Sequence, residues 1–180
     1  MPEIIPNYHP MLVHFTVALI TTSLGTLILG WLLARRKTLQ QECFIVSRWC
    51  LWLGALASIL TIVAGFHAYY TVAHDAISHR VMTIHRNWAL TTFGLIWVMT
   101  IWSWLLWIKK RTPNWLYTTG MLIIFGLVMT TGWYGAELVY RYGIGVKSLP
   151  QAETVGHNHT HGEHSPSSKP TENSHTNHEH

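Results

Sequence analysis

The sequence predicts an all-α polytopic membrane protein, in which four transmembrane helices form an up-down bundle ahead of a disordered C-terminal tail. Four apolar stretches carry this prediction: residues 12–34, 49–70, 88–108 and 115–136. Each is about 20 residues long, the length a helix needs to cross a bilayer. Composition agrees, because 49% of the 180 residues are hydrophobic and only 11% are charged. Many of the 10 Trp residues lie near the ends of these stretches, where aromatic rings favour the membrane interface.

The helices are predicted in order from the stretches and the signals around them, at about 11–34, 47–72, 84–108 and 115–142. Pro10 suits the start of the first helix. A basic loop, 35–47, leads to the second, and a polar loop, 71–83, leads to the third. A short turn with Pro113 precedes the fourth, which Gly143 ends. Together these form a transmembrane domain, 1–146, and no internal repeat is evident.

Residues 147–180 form the predicted tail, in which Ser, Pro, Thr, Asn, Glu and His dominate. Such a composition cannot bury enough apolar surface to fold. Closely spaced imidazoles on a flexible strand can chelate a divalent transition metal. The tail residues predicted to do so are His157, His159, His161, His164, His175, His178 and His180.

The distribution of Lys and Arg predicts the orientation. Arg35, Arg36 and Lys37 follow the first helix, and a second basic cluster, 109–111, follows the third. Loops rich in Lys and Arg stay in the cytoplasm. The protein is therefore expected in a bacterial inner membrane with both termini outside. The basic residues are explained by topology, so no nucleic-acid partner is predicted.

Four side chains that could ligate or ionise are predicted at one outer level of the bundle: His14, His67, His85 and Glu137. Each ends an inward row of small residues, and each lies about 30–35 Å of helix from the inner side. The ordinary alternative is a half-solvated interfacial residue. For the remaining membrane-adjacent histidines, His9, His74 and His79, we expect solvated loop positions. Glu137 and Arg141 have the spacing of an intrahelical ion pair.

Three segments resemble the DUF2231 family of bacterial membrane proteins: residues 9–15 (HPMLVHF), 79–86 (HRVMTIHR) and 132–143 (GWYGAELVYRYG). The similarity covers residues 8–146, and Thr16 departs from it because many relatives have proline there. The resemblance implies a four-helix integral membrane protein. Some relatives are fused to Rieske or cytochrome c modules, which implies redox work.

Our leading hypothesis for the outer level is a b-type haem. Two neutral imidazoles suit the axial positions of haem iron, and helices one and three are diagonal in an up-down bundle. His14 and His85 are the predicted ligands, with His67 as the alternative. Arg86 or Arg141 would neutralise the propionates. With one such level, the protein would exchange electrons with a quinone or a periplasmic redox protein.

Two other hypotheses remain open. His14, His67, His85 and Glu137 could form a nitrogen and oxygen site for zinc, copper or nickel. The domain could instead be a cofactor-free structural subunit of a membrane complex. The sequence holds no nucleophile–base constellation, phosphate loop or carboxylate pair, so as an enzyme it would be at most a redox subunit. The oligomeric state stays open.

Overall fold

The structure is a computed structural model that describes residues 8–72 and 76–144. It contains four α-helices: α1 (Tyr8–Leu32), α2 (Lys37–Thr71), α3 (Ala76–Ile108) and α4 (Trp115–Tyr140). Each is long and apolar enough to cross a membrane. The predicted all-α, four-helix membrane fold is confirmed. The predicted tail, 147–180, lies outside the described residues.

Three helices begin earlier than the sequence predicts, and α1 begins at Tyr8 and not near 11. α2 begins at Lys37 and not near 47, and α3 begins at Ala76 and not near 84. Most of the two predicted loops, 35–47 and 71–83, is therefore helical. The prediction followed the apolar runs, which mark only the part of a helix that lies in hydrocarbon. Backbone hydrogen bonding continues through polar residues beyond that boundary.

The start and end of α4 follow local signals in the sequence. The Asn114 side chain accepts a hydrogen bond from the backbone N–H of Tyr117, at 2.9 Å, and so caps the first turn. The helix ends at Tyr140, two residues before the predicted end. Gly143 then adopts a left-handed φ of 61°, which glycine does without steric penalty. Gly143 thus has the backbone conformation expected just after a helix, although α4 ends earlier than predicted.

The helices pack as two antiparallel hairpins. α1 packs most extensively on α2, and α3 packs on α4. Contacts of α2 with α3 and of α1 with α4 close the ring, so α1 and α3 are diagonal, as predicted. The core consists of side chains from all four helices, and its fully buried members are Ile20, Leu27, Leu51, Ile96, Met121 and Ile124.

The two hairpins are structural repeats, which corrects the expectation that no repeat is present. Adding 76 to the numbers of four buried α1 residues gives four buried α3 residues, and adding 70 to the numbers of four buried α2 residues gives four buried α4 residues. The first relation links Thr16, Ile20, Ser23 and Leu27 to Thr92, Ile96, Met99 and Ser103. The second links Ser47, Leu51, Gly54 and Ser58 to Tyr117, Met121, Ile124 and Val128. Few identities accompany the repeat, so the sequence alone conceals it.

Close packing of α1 on α2 depends on Gly54. A Cβ atom at this position would lie 3.0 Å from Ile20 Cδ1 and 3.3 Å from Leu19 Cβ. Gly25 has no atom within 4 Å of the equivalent position and faces away from the bundle. We therefore expect the two glycines to respond differently to the same substitution.

Gly54→Leu is expected to lower the free energy of unfolding by about 1–3 kcal/mol, because it overpacks a tight helix contact. Equilibrium unfolding in mild detergent, followed by circular dichroism, measures this. Gly25→Leu is the matched control, since it changes helix propensity equally without a clash. Equal effects of the two substitutions would contradict the packing described here.

Candidate functional site

The site is a pair of histidines, His9 and His85, that meet between the diagonal helices. His9 lies in the first turn of α1, and His85 lies between the second and third turns of α3. Their ring centroids are 6.3 Å apart, and the ring planes are inclined at 81°. Both side chains are half-buried. Helices that do not pack on each other thus place two imidazoles in contact across the bundle.

Each imidazole is oriented by a backbone carbonyl of its own hairpin. His9 Nδ1–H donates to the carbonyl oxygen of Thr61, at 3.0 Å. His85 Nδ1–H donates to the carbonyl oxygen of Thr131, at 3.1 Å. Because a carbonyl can only accept, the proton is assigned to Nδ1 in both neutral rings, and Nε2 carries the lone pair. This is the tautomer of a metal-ligating histidine with a carbonyl partner in its outer shell.

The same two threonines join the helices of each hairpin through their hydroxyl groups. Thr61 Oγ1 bonds Thr16 Oγ1 at 2.9 Å, and Thr131 Oγ1 bonds Thr92 Oγ1 at 3.0 Å. Thr16 follows His9 by seven residues, and Thr92 follows His85 by seven. Seven residues are nearly two turns, so each histidine shares a helix face with its threonine. Both hairpins therefore contain the same histidine–carbonyl and threonine–threonine hydrogen bonds.

Glycines four residues beyond these threonines let the rings lie against the helix backbone. A Cβ at Gly65 would be 3.0 Å from His9 Cε1, and a Cβ at Gly135 would be 3.2 Å from His85 Cε1. Such separations are tighter than most real Cβ contacts, so a side chain at either position would displace the ring by a few tenths of an ångström. Glycine at both positions therefore leaves room for each imidazole beside the helix backbone.

Of the three predicted histidine ligands, the structure brings only His85 to this pair. His14 is exposed, and its Nδ1 donates to the carbonyl of Pro10 in its own helix. His67 is also exposed. The partner of His85 is His9, which the sequence analysis placed in a solvated loop. That placement was wrong because the helix extends beyond the apolar run.

One sequence signal could have identified His9. The segment 9–20 has histidine, then threonine seven residues later, then Leu-Ile at its end. The segment 85–96 has the same pattern. Without knowledge of the repeat, four matches in twelve positions of two apolar helices carry little weight. The hydrogen bonds of the two histidines and of the two threonine pairs show that the matching positions are structurally equivalent.

The charged residues predicted near the site have partners of their own. Arg141 Nη1 donates to Glu137 Oε1 at 2.8 Å, so the expected intrahelical ion pair is confirmed. The Arg86 guanidinium lies 5.0 Å from the centroid of the Tyr69 ring. His79 lies in α3, not in a loop, with Nε2 3.3 Å from the Tyr69 hydroxyl. His74 lies outside the described residues.

Within 8–72 and 76–144, no group of three or more His, Cys, Asp or Glu residues is placed to hold a metal ion. The predicted four-residue metal set of His14, His67, His85 and Glu137 is therefore not assembled. Cys43 and Cys50 are free thiols. The seven tail histidines lie outside the described residues. The described residues therefore provide two imidazoles, His9 and His85, as possible ligands for a cofactor.

Residues 6–148 match the family model described as "Predicted membrane protein (DUF2231)". The match includes both hairpins and the histidine pair. No curated protein and no solved structure matches the chain.

Thr61→Val and Thr131→Val are each expected to lower the free energy of unfolding by about 0.6–1.7 kcal/mol, the range for hydrogen bonds between membrane helices. Valine keeps the shape and the backbone carbonyl but removes the hydroxyl that bonds Thr16 or Thr92. Equilibrium unfolding in detergent measures both variants.

Thr119→Val is the control, because the exposed Thr119 hydroxyl bonds only the Trp115 carbonyl of its own helix. If only one of the two threonine pairs proves stabilising, the two hairpins are not equivalent at this level.

Proposed function

Because the chain belongs to the DUF2231 family of predicted membrane proteins, whose description assigns no activity, we propose a function from the site itself. We propose that the protein is an electron-transfer protein that holds one b-type haem between His9 and His85. The observation that carries this proposal is the meeting of two carbonyl-oriented imidazoles from diagonal helices.

The number of ligands favours haem over a bare metal ion. Structural and catalytic zinc sites take three or four protein ligands, and the described residues gather two. Haem needs only two axial ligands, since the porphyrin supplies four nitrogens to the iron. Four-helix bundles commonly hold cofactors between side chains of facing helices.

The distance between the two rings is compatible with histidines that would share one iron. A ligating imidazole nitrogen lies about 2 Å from its metal and the ring centre about 1 Å further, so two opposed rings have centres about 6 Å apart. The observed separation is 6.3 Å. The carbonyl bonds to Nδ1 hold both rings in the tautomer that ligates through Nε2.

We assign a role in haem binding to one further residue near the pair. Arg86 follows His85 in sequence and is the cation that we assign to the haem carboxylates, because Arg141 is engaged with Glu137. A bound haem would supply one-electron redox chemistry. All histidines of the described helices lie toward the same end of the bundle as the pair. One cofactor at one end suits exchange with a quinone or a redox protein at that face.

The first test is the reduced-minus-oxidised absorption spectrum of the full chain, purified in mild detergent from haem-sufficient cells. We expect an α-band, a Soret band and about one iron per chain. His9→Ala and His85→Ala are each expected to abolish the α-band, because a low-spin iron needs both axial imidazoles. Added imidazole should restore it in part.

His14→Ala and His67→Ala are the matched controls, since both side chains are exposed and lie away from the pair. Their spectra should equal that of the parent protein. A protein that contains no haem, or one that loses it through His14→Ala and not through His9→Ala, would refute the proposal.

A second proposal concerns the tail, whose segment 157–164 has four histidines. We propose that it binds a divalent transition metal weakly and reversibly. Elemental analysis of the same sample separates the two sites. Zinc, copper or nickel that disappears on truncation after Lys147 belongs to the tail, whereas the haem spectrum should survive that truncation.

The proposed orientation places the histidine pair on the outer side of a bacterial inner membrane. It follows from the basic clusters 35–37 and 109–111 at the opposite end of the bundle. Reporter fusions after Lys110 should be active in the cytoplasm, and fusions after residue 147 should be active outside. The reverse pattern would put the pair on the cytoplasmic side and exclude a periplasmic partner.

A further inference from the structure

The end of the bundle opposite the histidine pair contains a basic cavity of about 510 Å³. It lies between α2, the last turns of α3 and the turn that leads to α4. Its lining includes three cations, Arg48, Lys110 and Arg111, and no acidic residue. No ion pair in the described part of the chain involves any of the three.

Arg48 is the most constrained of these cations. It lies within the membrane-spanning helix α2, with its guanidinium 5.6 Å from the Trp52 ring and 5.8 Å from the Trp107 ring. Its Nε atom is buried and has no hydrogen-bond partner among the described residues. Arg48 directly precedes the apolar run 49–70, so it lies near the membrane interface, and burying part of its guanidinium costs free energy unless an anion or a polar group compensates it.

The repeat shows that packing does not require a cation here. Arg48 in α2 contacts Trp107 in α3, and the equivalent contact under the repeat is that of Thr118 in α4 with Trp31 in α1. There the Trp31 indole N–H donates to the Thr118 hydroxyl at 3.1 Å, and Trp31 stacks on Trp115 at 5.0 Å. At the contact of Trp31 with Thr118 the helices are joined by a neutral hydrogen bond. At the equivalent contact of Trp107 there is an arginine, Arg48, beside a cavity.

The cavity is bordered by apolar side chains that face away from the bundle. Ile45, Trp107 and Ile108 line it and are 39%, 47% and 57% exposed. On a membrane helix such surfaces face lipid. The site therefore joins a cationic interior to an apolar border, which is the combination that a phospholipid presents in its phosphate and its acyl chains. Basic pockets between membrane helices commonly bind anionic headgroups.

We propose that this cavity binds the phosphate headgroup of an anionic phospholipid, with Arg48 as its principal ligand and Lys110 and Arg111 as supporting cations. The guanidinium can donate two parallel hydrogen bonds to phosphate oxygens. The acyl chains lie along the surface formed by Ile45, Trp107 and Ile108. A free phosphate shares the headgroup chemistry but gains nothing from the apolar border.

The test is the thermal unfolding midpoint of the full chain in neutral detergent, titrated with phosphatidylglycerol, phosphatidylcholine or inorganic phosphate. Phosphatidylglycerol should raise the midpoint in a saturable way, and the other two should not at equal concentration. Arg48→Gln should weaken the apparent affinity at least about tenfold, the loss expected for one hydrogen bond to a charged group.

Arg80→Gln is the matched control, because Arg80 is exposed and lies at the other end of the bundle. Should Arg48→Gln fail to fold, Arg111→Gln tests the same cavity from an exposed turn and should also weaken binding. An equal response to phosphatidylcholine, or an unchanged affinity in the cavity variants, would overturn the proposal. A response to inorganic phosphate that matches phosphatidylglycerol would overturn the lipid assignment.

Discussion

The structure depends on the need of every polar group inside a membrane to find its partner within the protein. The two threonine carbonyls, Thr61 and Thr131, accept hydrogen bonds from imidazoles, and their hydroxyls join neighbouring helices. Each hairpin therefore orients its histidine and holds its helices together at the same residue. The carbonyl orients the histidine and the hydroxyl joins the helices, so one residue in each hairpin contributes to both through different groups.

The repeat explains why the two imidazoles meet. α1 and α3 run in the same direction, so the hairpins are related by rotation about an axis along the bundle and not by inversion. A residue at the inner face of one hairpin then meets its own equivalent near that axis. His9 and His85 are such equivalents, with the same carbonyl, hydroxyl and glycine around each. Two equivalent imidazoles near the bundle axis therefore follow directly from the repeat of one hairpin.

The sequence predicts the fold well and the site only in part, for a physical reason. Apolar run length reports the transfer of helices into hydrocarbon, so the number of helices, their order and the diagonal relation of α1 to α3 were predicted correctly. It does not report where a helix extends into the interface, so His9 was placed in a loop. Which of His9 and His14 faces inward depends on helix rotation. Packing contacts at Thr16, Ile20 and Ser23 set that rotation, and no single helix encodes it alone.

The two ends of the bundle differ in how far they depart from the repeat. At the histidine end the two hairpins have the same arrangement of histidine, threonine and glycine. At the other end Arg48 stands where the equivalent position has Thr118, and the neutral Trp31–Thr118 hydrogen bond has no counterpart. Departure from the repeat at a cation whose Nε atom is buried and unpartnered among the described residues, which costs free energy, is hard to explain by packing, because the equivalent contact of Trp31 with Thr118 forms without a cation. An anion from the surrounding lipid would offset that cost, which would explain why arginine stands at position 48 and threonine at the equivalent position 118.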